Sequence, residues 1–63
     1  MNLTVNGNTY EHGGDGKLLA LIEEMGANPS RVAVVVNDAI ADKDSCVLSD
    51  GDRVEILTLA GGG

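Results

Sequence analysis

The spacing of apolar residues changes several times along the chain, and each rhythm predicts an element. Residues 1–5 alternate, with Leu3 and Val5 flanking Thr4, as a half-buried strand does. Asn6-Gly7 comes next, a dipeptide whose two residues both accept positive φ, and residues 8–11, with Tyr10 among them, read as the returning strand of a hairpin. His12-Gly13-Gly14-Asp15-Gly16 breaks the pattern and reads as a loop. Over residues 17–25 the rhythm becomes helical. Leu18, Leu21, Ile22 and Met25 make one stripe, with Leu19 at its edge and Glu23 and Glu24 turned to solvent. Asp15 is the predicted N-cap, Gly26 stands where such a helix stops, and Pro29 lies beyond it.

Residues 31–37 are almost all Val and Ala, which predicts a strand covered on both faces near the middle of a sheet. Asn37-Asp38 signals a turn into a short strand at 39–41, and 42–45 form a polar loop. Residues 46–48 read as a short edge strand, Asp50-Gly51-Asp52 as a tight turn, and residues 53–59 as the last strand. The expected class is α+β, a roll with one main helix packed on a sheet of four or five strands. A single domain is expected over residues 1–59, followed by a flexible tail at 60–63. No internal repeat is present.

Length and charge narrow the function. The chain has 63 residues, ten acids against four bases and a formal charge of −6. It has no basic stripe to neutralise phosphates, so nucleic acid is not the expected partner. The 43% of hydrophobic residues is too many for a disordered acidic segment. The apolar run at 32–36 is far too short to cross a bilayer, and residues 1–5 carry no basic region of a targeting signal, so a cytoplasmic location without membrane attachment is expected. A lone Cys46 makes no internal disulfide and no zinc site unaided. A domain this small encloses no large substrate pocket, which favours a carrier or adaptor over an enzyme.

Several groups invite chemistry and lose it on inspection. Gly16-Lys17 resembles the end of a phosphate loop, but Glu11 stands where the first glycine belongs and Leu18 where the hydroxyl belongs. Counting an EF-hand from Asp42 places Val47 at the required glycine and Arg53 at the required glutamate, so Asp42, Asp44, Asp50 and Asp52 read as turn residues and no metal is expected. His12 and Cys46 are far apart in sequence with nothing to orient them; His12 reads as a surface residue and Cys46 as a small, partly buried one. No catalytic residue is expected.

The end of the chain is different. Gly61-Gly62-Gly63 is either a frayed end or a carboxylate on a thin leash, because residues without Cβ can thread a narrow channel. In the strand before it, Val54 and Ile56 share one face and Arg53, Glu55, Leu57 and Leu59 the other. Charged Arg53 and Glu55 mark that face as solvent, so Leu57 and Leu59 point outward beside the glycines and read as a docking patch that aims the tail.

Asn6-Gly7 in the opening hairpin, residues 32–37, and residues 50–56 running into Gly61-Gly62-Gly63 together resemble the sulfur carrier proteins of thiamine biosynthesis, a prokaryotic ubiquitin-like family. The resemblance spans the whole chain. One departure is the short segment at 42–46, which lacks the tryptophan many members carry. The resemblance implies a β-grasp fold with a mixed sheet and a protein co-substrate in place of an enzyme. A ubiquitin-activating-like enzyme would use ATP and magnesium to adenylate Gly63, with Gly61 and Gly62 threading its active site and Leu57 and Leu59 facing it. A cysteine-derived persulfide would then leave a thiocarboxylate, and a thiazole synthase would take the sulfur. No cofactor would be bound permanently, and the free chain is expected to be a monomer. Three alternatives share part of these features. They are the small subunit of a molybdopterin synthase, a ubiquitin-like modifier of proteins, and a plain interaction domain with an incidental glycine end.

Overall fold

The computed structural model describes residues 1–59. Five strands form one sheet in the order β2-β1-β5-β3-β4. β1 (Asn2–Val5) and β2 (Asn8–Glu11) are antiparallel, and between them Asn6 and Gly7 take φ of 49° and 84°, the two positive values that a two-residue hairpin turn demands. β3 (Val32–Val36) and β4 (Ala39–Ile40) repeat the device with Asn37 and Asp38 at 49° and 70°. β5 (Arg53–Thr58) joins the two hairpins, parallel to β1 and antiparallel to β3, so the sheet is mixed as a β-grasp requires.

One helix, α1 (Leu18–Glu24), covers one face of the sheet. Its Leu18, Leu21 and Ile22 are fully buried against Leu3, Val5, Val32, Val34 and Val54, and Leu48 closes the core from the loop before β5. Each of these aliphatic side chains gains about 1.5–3 kcal/mol on leaving water. A single turn of 3-10 helix, Pro29–Arg31, leads into β3, with Asn28 Oδ1 accepting from Ser30 N–H at 2.9 Å.

Four local expectations change. The helix ends one residue earlier than the apolar spacing implies, with Met25 as its C-cap before the turn at Gly26, and Met25, expected on the apolar stripe, is exposed. Asp15 caps no helix end: its Oδ1 accepts from Lys17 N–H at 3.1 Å, and Lys17 itself is the N-cap. Residues 46–48 form no strand in the sheet but a single bridge between Val47 and Lys17. β3 is buried on one face alone, since Ala33 and Val35 on the other are half-exposed.

His12 departs furthest from expectation, being fully buried. Its Nε2 accepts from Gly16 N–H at 3.2 Å, which leaves Nδ1 to carry the proton and donate to Glu24 Oε2 at 3.1 Å. Tyr10 donates its hydroxyl to the other oxygen of Glu24. A Cβ on Gly14 would lie 2.8 Å from the His12 ring, so the glycine at this position serves close packing on an imidazole.

The same cluster makes a prediction. Donation of the hydroxyl to Glu24, burial and the Glu24 charge, in that order, raise the Tyr10 pKa above its ordinary value near 10. The folded state thus holds the phenolic proton more tightly than the unfolded chain. The resulting stabilisation is complete below pH about 10 and is lost as the pH rises through the folded-state pKa. Denaturation midpoints should fall across that alkaline range in the native chain, and the part of the fall due to Tyr10 should vanish in Tyr10→Phe.

Candidate functional site

The strand that leads to the chain end is the interior strand of the sheet. In the β3–β5 ladder, Leu59 N–H donates to Arg31 C=O at 2.9 Å and Asn37 N–H donates to Arg53 C=O at 2.8 Å. The main-chain groups of Arg53, Glu55, Leu57 and Leu59 therefore face β3, and those of Val54, Ile56 and Thr58 face the β1 side. Two turn asparagines complete the strand. Asn37 Oδ1 accepts Arg53 N–H at 2.9 Å and Asn6 Oδ1 accepts Ile56 N–H at 2.8 Å. Order thus persists to Leu59, next to the glycine end. Gly61, Gly62 and Gly63 lie outside the described residues.

Side chains on the face of the sheet away from α1 give this end its character. Leu57 is 49% exposed and Leu59 51%, as the alternation with Arg53 and Glu55 predicts. Register extends the patch: Leu57 pairs with Ala33, and Val35 pairs with Ile40 on β4. Paired residues share a face, so Ala33, Val35 and Ile40 continue the apolar strip from Leu57 across three strands. Ile40, at 86% exposure, is the residue that sequence reasoning missed. The signal was present in Asn37-Asp38, since a two-residue turn fixes which β4 residue stands beside Val35.

The other candidates stay apart from this patch. His12 is held by Glu24 and Gly16, and among the described residues no hydrogen bond joins it to Cys46. The Cys46 thiol pKa is raised by burial and then by the Asp52 and Asp42 carboxylates, the opposite of what a nucleophilic thiolate needs. The aspartates bind main chain: Asp52 Oδ2 accepts Ser49 N–H at 2.8 Å and Asp42 Oδ1 accepts Asp44 N–H at 3.0 Å within turns, and Asp50 Oδ1 accepts Asn2 N–H at 2.6 Å at the start of β1. Among the described residues no group of three or more His, Cys, Asp or Glu side chains could hold a metal ion. No described helix is long and apolar enough to cross a membrane. An open cleft of about 400 Å³, lined by Thr4, Asn6, Gly7, Arg53, Val54 and Glu55, lies at the start of β5, and its Arg53 is already paired with Asp38 at 2.6 Å. The arrangement sets Leu57 and Leu59 outward on the strand that precedes the glycines.

Comparison with known proteins agrees with that geometry. The profile of the ThiS family matches residues 3–63. The crystal structure of a thiamine biosynthesis protein (ThiS) from Geobacter metallireducens is similar over 100% of both chains, with 32% sequence identity and a TM-score of 0.79. No curated protein matches the chain significantly.

If Leu57 and Ile40 are surface groups with no part in the core, replacing either by Asp should cost about 1 kcal/mol or less. Urea titration of Leu57→Asp and Ile40→Asp checks this; a loss of several kcal/mol would reverse the assignment of the strand faces.

Proposed function

The chain belongs to the ThiS family, sulfur carriers of thiamine biosynthesis, and we propose that it carries its sulfur as a thiocarboxylate on Gly63. The observation that carries this reading is the run of an interior strand, ordered to Leu59 and flanked by outward Leu57 and Leu59, into Gly61-Gly62-Gly63. A carboxylate is a poor electrophile. Attack of the Gly63 carboxylate on the α-phosphate of ATP, releasing pyrophosphate, gives an acyl adenylate whose leaving group is AMP. A persulfide of cysteine origin displaces AMP and forms the acyl–sulfur bond. Cleavage of the S–S bond by a thiol, itself oxidised to a disulfide, frees the thiocarboxylate.

The partners proposed are a ubiquitin-activating-like adenylating enzyme, which supplies ATP and magnesium, and a thiazole synthase that accepts the sulfur. The oriented donors that stabilise the transition state belong to those enzymes. This chain contributes the glycines, slender enough to enter a narrow site, and the strip Leu59, Leu57, Ala33, Val35 and Ile40 as the surface that docks. The charge of −6 favours a partner surface rimmed with basic groups, which speeds encounter at low ionic strength.

Intact mass after incubation with the adenylating enzyme, ATP, magnesium and a persulfide donor tests the reading. The expected gain is one oxygen replaced by sulfur, absent when Gly63 is deleted. No gain, from an enzyme that loads another carrier, overturns it, and heavier conjugates removable by a protease would favour a protein modifier. Leu57→Asp and Ile40→Asp should each weaken capture by that enzyme about tenfold, equal to about 1.4 kcal/mol. Capture should also slow as salt is raised, and stopped-flow association at two ionic strengths measures it.

A further inference from the structure

The sheet has two interior places where a strand outruns its neighbour, and the fold treats them differently. β4 stops at Ile40, leaving the outer side of β3 open. There Ala41 N–H donates to Val34 C=O at 2.9 Å, and the Lys43 ammonium donates to Val32 C=O at 2.6 Å and to Pro29 C=O at 2.5 Å, so that side is plugged. On the other side of the sheet β1 pairs with β5 at Arg53 and Val54 and then turns away at Asn6. Asn6 Oδ1 takes the Ile56 N–H, and the plugging ends there. Among the described residues, Ile56 C=O, Thr58 N–H and Thr58 C=O face this side without a hydrogen-bond partner. Thr58 is exposed, so water satisfies these groups in the free chain.

We propose that this free edge of β5, from Ile56 to Thr58, takes an extended segment of the adenylating enzyme as an added strand. An acceptor, a donor and an acceptor in a row along an extended backbone are matched by another extended backbone. The occupant runs beside Leu57, so its residue on that face is apolar. A second copy of this chain is disfavoured by charge, because each copy carries −6. Strand addition here would give β5 a neighbour on both sides up to the glycine end and so fix the direction in which that end leaves the sheet. The inference rests on the carrier reading above and names where its activating partner grips.

Hydrogen exchange at the Thr58 amide tests the contact in the native chain. It should exchange close to the free-peptide rate in isolation and about tenfold slower or more in complex with the adenylating enzyme. An unchanged Thr58 rate in a formed complex overturns the proposal. Substitution gives an independent test. Thr58→Pro deletes an N–H that no group among the described residues uses, and Thr58→Ala keeps it. The first should bind about tenfold more weakly and the second within about twofold of the native chain. Equal affinities of the two variants overturn the edge contact while leaving the carrier reading intact, provided the native chain gains sulfur. A native chain that is bound but gains no sulfur overturns the carrier reading instead.

Discussion

The hydrogen bonding of β5 is the constraint on which the molecule depends. Without it the chain would hold two separate two-stranded hairpins, each marginal in water. β5 joins them, through two register pairs to β1 and five to β3, and buries Val54 at the centre of the core. Its start, at Arg53, and its middle, at Ile56, are held by the side chains of the two turns. Asn37 and Asn6 each sit at a φ of 49°, where a residue other than glycine is strained, and each offsets that strain by accepting an N–H of β5. Turn residues and the central strand are therefore one device, in which the turns that fold the hairpins also complete the strand that unites them.

What the sequence made legible follows from how local each signal is. Asn6-Gly7 predicts its hairpin because the φ requirement belongs to those two residues alone. The outward face of Leu57 and Leu59 was legible because Arg53 and Glu55 mark it within the same strand. The burial of His12 was not, since its partners come from α1 and from the loop at 13–16, and nothing adjacent to it announces them. β3 misled for a different reason. A run of Val and Ala fits a strand buried twice, and fits equally a strand buried once whose other face belongs to an apolar surface strip. The glycine end lies outside the described residues, so its proposed chemistry rests on sequence and family together.

The features that mimic other functions have a common explanation in packing. The glycine loop before α1 looks like an anion cradle, yet Gly14 is needed because a Cβ would strike the His12 ring. The aspartates look like a cation site, yet Asp42 and Asp52 each accept a main-chain N–H within a turn and Asp50 accepts one from the start of β1. A domain this small has few spare residues, and its exposed leucines and the open main-chain groups of Ile56 and Thr58 gather on β5.

That concentration matters for how such a carrier would bind. Glycines lose more backbone freedom than other residues when a partner fixes them, about 1–2 kcal/mol for each residue ordered. A glycine-rich end is easy to thread and poor at holding on. Affinity therefore has to come from groups already ordered before the partner arrives. The sheet provides them up to Leu59, whose N–H is tied to Arg31. The apolar strip from Leu59 to Ile40 and the open edge of β5 meet at this strand, one offering burial of side chains and the other main-chain hydrogen bonds. Binding at both would act on the same rigid element from two directions, and the position of the chain end would follow from the position of β5.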